Sequence, residues 1–397
     1  MHMTSAMPAL LGGNPIFTDK VHIVRPVLPD YEHMAGGLEE ILTTGMVTKG
    51  AFLRQFETAV AAHLGVKHVI GVSSCTTGLM LAYKGLGLTG DVLVPSFTFM
   101  ATVSALIWNG LRPVFVDVNR GTTNIDPAAA EAAITPNTSA IVAVHNFGNP
   151  AEIDALEALC RKRGLKLIFD AAHGYGALYQ GQPVGAQGDA QSFSQSPTKL
   201  LISGEGGVVA TNDDALAESI RVGREYGNSG NYDSIFAGMN ARLPEFNALM
   251  GLRSLEMLEN AAVTRNETAG LYQEALGRLP GIEFQQVLPG NRNSYKDFSI
   301  TIDPANFGMS RRALETALAA ENIDTRKYYD PPVHCHTAYR KYYDGQPLPN
   351  TDWLAAHSLS LPMWTNMDPQ VALRICEAIE RVHHHAKEIQ QHIPAGA

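Results

Sequence analysis

Cysteine is scarce in this chain: Cys75, Cys160, Cys335 and Cys376 are the only four in 397 residues, far apart and without a CxxC pair. That spacing excludes a disulfide framework and a cysteine-based zinc site, so a reducing, cytoplasmic setting is expected. Positive charge is also scarce. Lys and Arg number 30 against 39 Asp and Glu, a net charge of -9, which argues against a nucleic-acid partner, because a phosphate backbone calls for a basic stripe. No apolar run approaches the length of a membrane span. The stretch from Met1 to Pro15 lacks the basic start and apolar core of a secretory signal. Internal repeats and low-complexity linkers are missing too. One GxGxxG occurs, at Gly85-Leu86-Gly87-Leu88-Thr89-Gly90. It follows a helical pattern and precedes a strand pattern, the reverse of the dinucleotide-binding order, and reads as a helix C-cap and turn. His383-His384-His385 and His334-Cys335-His336 make no metal site, since consecutive helical histidines cannot face one ion and no fourth ligand accompanies them.

What remains is a globular composition, 45% hydrophobic and 17% charged, in a chain long enough for two domains. From about residue 50 to 220, short β-branched runs alternate with amphipathic segments. The runs are His68-Val72, Val92-Pro95, Pro113-Val118, Ala140-Val144, Leu165-Asp170 and Gly207-Thr211. Helical patterns cover Phe52-Leu64, Thr77-Leu86, Met100-Trp108, Pro127-Ala133 and Ala151-Arg163. This alternation predicts an α/β unit with a largely parallel, doubly covered sheet. Beyond residue 255 the rhythm changes. A long helical pattern (Leu249 to Leu279) leads to a strand-like run at Lys296-Ile302, a helix from Ser310 to Glu321, a Pro-rich loop at Asp330-Pro332 and a last helix from Pro369 to Ile389. The expected division is a large α/β domain with an N-terminal arm over residues 1–255 and a smaller α+β domain over 256–397.

Three segments carry chemistry. The strand Leu165-Phe169 ends in Asp170-Ala171-Ala172-His173, and a residue at the carboxyl end of such a strand points into the ligand crevice. Ser192 to Lys199 is followed by Gly204-Glu205-Gly206-Gly207. Val72 to Leu79 is a small-residue turn opening a helix, whose free N–H groups and dipole suit a phosphate. Taken singly, Lys199 reads as a solvated lysine, Asp170 as a helix cap and the serines and threonines as N-caps. Taken together, a carboxylate for a protonated pyridine nitrogen and a lysine about thirty residues later match two parts of a pyridoxal-phosphate site.

In order along nearly the whole chain, these segments resemble the DegT/DnrJ/EryC1/StrS family of nucleotide-sugar aminotransferases. The likeness includes Thr48-Lys49-Gly50 with Gln55-Phe56-Glu57, Ser74 to Leu79, Val94 to Phe99, Pro113 to Asp117, Asp170 to Ala177, the lysine segment and Asn240-Ala241-Arg242. The resemblance implies a fold type I PLP-dependent transferase, with a mostly parallel large domain and a smaller C-terminal one. It implies pyridoxal 5'-phosphate as cofactor, with Lys199 bonded to it and moving the proton, Asp170 on the pyridine nitrogen and His173 beside the ring. Phe99 would stack on the ring, while Cys75, Thr76 and Ser194 hold the phosphate. Asn240 would come from the neighbouring subunit of a homodimer with shared sites. Tyr329 and His334 are substrate candidates near the Pro-rich loop.

Two positions depart from the family pattern: Cys75 stands where Gly is usual, and Gln195-Ser196 where a Phe-His pair is frequent. Both bear on the pocket more than on cofactor binding. Lys199 has not become the His of the family's dehydratases, which favours transamination. The expected reaction takes L-glutamate as donor and a nucleotide-linked 4-keto-6-deoxyhexose as acceptor. A 3-keto sugar, a keto-cyclitol or a non-catalytic PLP- or sugar-sensing paralogue are the alternatives. Retention of both Asp170 and Lys199 argues against the last.

Overall fold

A computed structural model describes residues 6–393; residues 1–5 and 394–397, the outer ends of the two expected domains, lie outside the described residues. In chain order come β1 (His68–Val72), β2 (Asp91–Pro95), β3 (Arg112–Val116), β4 (Thr138–Val144) and β5 (Lys166–Asp170). A two-residue ribbon follows, β6 (Leu178–Tyr179) with β7 (Gln182–Pro183), then β8 (Ala190–Ser194) and β9 (Gly207–Thr211). All but the ribbon form one seven-stranded sheet in the order β1-β9-β8-β5-β4-β2-β3. Strands β3, β2, β4, β5 and β8 pair in parallel, while β9 runs antiparallel to both β8 and β1. Thus β1 points with the parallel strands and β9 alone is reversed.

The apolar runs lack polar alternation because both faces are covered. On β4, Ile141 and Ala143 enter one core while Ala140 and Val142 enter another; on β5, Leu167 and Phe169 part from Ile168 in the same way. Helices α1 (Tyr31–Thr44), α2 (Ala51–Leu64), α3 (Cys75–Gly85), α4 (Ala101–Trp108), α5 (Pro127–Ala133), α6 (Ile153–Arg163) and α7 (Asp214–Gly223) surround the sheet. Their starts follow ordinary capping rules: Asp126 before Pro127 caps α5, and Asp213 caps α7.

The long pattern from 249 to 279 resolves into two helices, α8 (Glu245–Glu256) and α9 (Leu258–Leu276). At Met257 the backbone N–H turns to the Ser254 carbonyl, three residues back, and the helix axis breaks. Next come β10 (Ile282–Phe284), β11 (Phe298–Ile302), α10 (Pro304–Phe307), α11 (Arg311–Ala320), α12 (Pro349–His357) and β12 (Ser358–Leu361). The chain closes with α13 (Pro369–His384) and α14 (Ala386–His392), so the expected last helix is also split, at His385. Strands β10, β11 and β12 form a separate antiparallel sheet. Phe17 and Val21 of the N-terminal segment join its core. No described helix is long and apolar enough to cross a membrane.

The topology brings the carboxyl ends of β1, β2, β5 and β8 to one edge of the large sheet. One further contact fixes α2 there. Gly50 offers no side-chain cap, and the buried Glu245 carboxylate accepts the N–H groups of Gly50, Phe52 and Leu53 at 2.8, 2.8 and 3.2 Å. Removing it strands three buried donors. Glu245→Ala should lower stability by about 1–3 kcal/mol, read as a reduced midpoint in urea denaturation; an unchanged midpoint would mean that the helix start draws nothing from this carboxylate.

Candidate active site

Helix α3 begins at the carboxyl end of β1. Ser74 caps it: Ser74 Oγ accepts the Thr77 N–H at 3.1 Å, and Thr77 Oγ1 accepts the Ser74 N–H at 3.1 Å. The first amides, Cys75 and Thr76, have no acceptor among the described residues. Two glycines allow the close packing that sets this helix end in place. A Cβ on Gly78 would fall 2.5 Å from Ser192 Oγ, and one on Gly207 would fall 2.6 Å from the Cys75 nitrogen. Ser192 Oγ donates to the Cys75 carbonyl at 3.0 Å, which binds α3 to β8.

Asp170 ends β5 and is buried. Its Oδ2 accepts the Thr102 hydroxyl of α4 at 2.7 Å, and its Oδ1 accepts the Ala172 N–H at 3.1 Å. The Cys75 thiol lies 3.8 Å from Oδ1 and 3.3 Å from the Ser192 carbonyl. Burial pushes the Asp170 carboxyl above the usual range, opposed by the Thr102 and Ala172 hydrogen bonds. His173, three residues on, is buried, and its Nδ1 has no hydrogen-bond partner among the described residues. Burial, followed by the nearby ammonium groups of Lys199 and Lys296, keeps that ring neutral well below its ordinary range.

From the end of β8, Ser194 leads into a turn in which the Lys199 N–H donates to the Ser196 carbonyl at 3.0 Å. The Lys199 side chain forms no ion pair among the described residues. Burial pulls its pKa from 10.5 to about 8, helped by Lys296 and opposed by Asp297, Cys75 and Asp170. A half-buried lysine held at about 8 keeps an appreciable neutral fraction near physiological pH, and that fraction is equipped to accept a proton.

These ends meet in a cavity of about 240 Å³ lined by Cys75, Thr76, Phe99, Asp170, His173, Ser194, Lys199 and Tyr329, among others. Every cofactor-site residue expected from sequence is in this wall except Asn240. Asn240 is exposed, in a backbone bridge to Glu225, whose carboxylate holds Arg242 at 3.0 Å and Lys49 at 2.9 Å. His334 does not line the cavity either. Its ring is buried, with Nδ1 2.7 Å from Ser96 Oγ, which ties it to the loop after β2. Of the two departures before the lysine, Ser196 lines the cavity while Gln195 is buried against Tyr175 and Ser203.

Sequence reasoning missed Lys296, Asp297 and Tyr328, which also form the wall, and Thr102, which holds Asp170. Lys296-Asp297 opens a strand-like run with two adjacent opposite charges, a weak hint. Nothing in the sequence links that strand to Lys199; the link is tertiary.

Comparison with known proteins gives consistent results. The sequence profile of the DegT/DnrJ/EryC1/StrS aminotransferase family matches residues 30–380. The chain is 35% identical over 360 residues to the spore coat polysaccharide biosynthesis protein SpsC of Bacillus subtilis (strain 168), covering 86% of this chain and 92% of SpsC. Its fold is similar to the crystal structure of DesI in the presence of its TDP-sugar product, with a TM-score of 0.91, 35% identity and coverage of 98% and 99% of the two chains. It is also similar to NtdA from Bacillus subtilis with bound cofactor PMP, with a TM-score of 0.82, 28% identity and coverage of 89% and 82%.

The charge state of Lys199 is directly measurable. Reductive methylation of the cofactor-free protein, followed site by site by mass spectrometry, should label Lys199 with a half-maximal rate at about pH 8. Labelling rises with pH because only the neutral amine reacts; a midpoint at the ordinary 10.5 would contradict the burial described above.

Proposed function

Because this chain belongs to the DegT/DnrJ/EryC1/StrS aminotransferase family, we propose that it transfers an amino group from L-glutamate to the ketone of a nucleotide-linked 4-keto-6-deoxyhexose. It is a PLP-dependent sugar aminotransferase; the donor, the acceptor and the residue roles are our reading. The observation that carries it is the cavity in which Lys199, Asp170, His173, Phe99 and the start of α3 converge. The TDP-sugar product of DesI supports a nucleotide-linked acceptor by similarity.

The cavity fits the cofactor. The unpartnered amides of Cys75 and Thr76, at a helix N-terminus, are donors for a phosphate, and the Ser194 hydroxyl lines the same cavity. Phe99, half exposed, has a free ring face. Asp170 is the carboxylate for a protonated ring nitrogen, and that positive charge would return its raised pKa to the ionised range. His173 Nδ1 has a spare hydrogen-bonding position. Pyridoxal phosphate, when bound, supplies an electron sink that lets a C–H bond beside the amine break and re-form. Lys199 would hold the cofactor covalently and, once free, moves that proton at Nζ. Thr102 keeps Asp170 aimed.

We place Asn240 in the site of a partner subunit. Tyr226, Tyr232 and Ile235, in the segment leading to Asn240, expose large apolar surfaces, which suits an interface. Lys199→Ala should abolish turnover while leaving the circular dichroism spectrum intact. The wild type loaded with PLP should show a visible absorption band that L-glutamate bleaches. Full activity in the variant, or a protein that never takes up PLP, would overturn the assignment. The shared site makes a separate prediction. Co-expressed Lys199→Ala and Asn240→Ala chains should recover about a quarter of wild-type activity, because half the dimers are mixed and each mixed dimer has one intact site. No recovery would place Asn240 and Lys199 of one site on the same chain.

A further inference from the structure

Two charges in the cavity wall influence Lys199 at a distance but bond to nothing in the scheme above. The side chains of Lys296 and Asp297 are 7% and 8% exposed, and Lys296 Nζ lies 2.9 and 3.0 Å from the two Asp297 carboxylate oxygens. A buried pair of this kind recovers its desolvation cost only when neighbouring donors and acceptors complete it. Elsewhere this protein completes its buried carboxylates. Glu245 accepts three backbone N–H groups. Glu321 accepts those of Ala9 and Ile16 as well as Arg381. Asp170 takes Thr102 and Ala172. Asp297, by contrast, accepts only from Lys296 among the described residues, and Lys296 Nζ donates only to Asp297. A carboxylate has about four acceptor sites and an ammonium group three donors. Spare capacity of both kinds is therefore left on a pair that lines the cavity with Lys199.

The mount of the pair is rigid. Buried Arg265 donates to the carbonyls of Tyr295 and Lys296 at 2.9 and 3.1 Å. The Lys296 N–H donates to the Phe147 carbonyl at 3.0 Å, after β4, and Ser294 Oγ donates to the His173 carbonyl at 2.8 Å, after β5. Tyr295 is held at a φ of 46°, a region costly to a non-glycine residue, with its N–H on Asn293 Oδ1 at 2.7 Å. This much fixing for one dipeptide is the mark of a preorganised binding group.

A fixed acceptor beside a fixed donor matches neighbouring hydroxyls of a pyranose, one donating a hydrogen bond to the carboxylate and the next accepting one from the ammonium group. We propose that Lys296 and Asp297 are the specificity-determining pair of this enzyme, gripping two adjacent hydroxyls of the acceptor hexose and so fixing the sugar relative to Lys199. This rests on the sugar-acceptor reading above.

The test uses the PLP-loaded enzyme with L-glutamate and TDP-4-keto-6-deoxyglucose, comparing Asp297→Asn with the charge-neutral double variant K296M/D297N, which leaves no lone buried charge. Lys296 and Asp297 act on Lys199 in opposite directions, so in the double variant, where both are removed together, the glutamate half-reaction, followed as bleaching of the visible band, should slow far less than the sugar half-reaction. The kcat/KM for the keto sugar should fall about 10- to 100-fold, the loss expected for a hydrogen bond to a charged group. Calorimetric binding of the TDP-sugar should weaken in parallel, and the variants should lose the wild type's discrimination against an analogue lacking one ring hydroxyl. An equal fall in both half-reactions, or no change in either, overturns the pairing with the sugar. A wild type that aminates no nucleotide-linked keto sugar overturns the acceptor reading and this inference together, whereas active wild type with unaltered variants overturns this inference alone.

Discussion

The structure depends on withdrawing an ammonium-bearing side chain partly from water without a carboxylate bonded to it. Lys199 is half-buried in the cavity wall, and its fall from 10.5 to about 8 corresponds to roughly 3 kcal/mol against the charged form. A closely bonded acid would cancel that effect. The described residues supply none: Asp170 is engaged by Thr102 and the Ala172 N–H, and Asp297 by Lys296. The neighbouring carboxylates therefore act at a distance, and burial dominates.

The sheet makes this arrangement possible. Parallel strands send their carboxyl ends to one edge, where chain segments distant in sequence meet. Reversed β9 adds a second constraint: it pairs with both β1 and β8, and Gly207 lets its start touch the Cys75 nitrogen. The start of α3, at the end of β1, and the turn bearing Lys199, between β8 and β9, are thereby held side by side. The second, antiparallel sheet closes the cavity from another side by way of Lys296, Asp297, Tyr328 and Tyr329.

The departures from the family pattern acquire a physical meaning in this setting. Cys75 is small enough to keep its amide at the helix start, and its thiol rests between the Asp170 carboxylate and the Ser192 carbonyl. Burial, with Asp170 next, raises its pKa well above the ordinary thiol range, so it remains a neutral filler. Gln195 bonds to Tyr175 and Ser203 inside the core, which leaves Ser196 as the altered residue that meets the cavity.

The sequence by itself determined the class of sheet, because runs buried on both faces cannot alternate, and β1, α5 and β9 fall at the expected residues. It also foreshadowed which residues would line one cavity, since Asp170, His173, Ser194 and Lys199 stand at or just beyond strand ends, where local order already implies position. Helix breaks at Met257 and His385 escaped it, because apolar periodicity continues through both. His334 lies outside the cavity for a related reason: a polar residue beside a Pro-rich loop looks available until the fold bonds it to Ser96. The roles of Thr102, Lys296 and Asp297 were decided by tertiary structure alone. Their importance comes from burial and from partners dozens to more than a hundred residues away, and a charge in sequence carries no sign of whether the folded chain will leave it in water or enclose it.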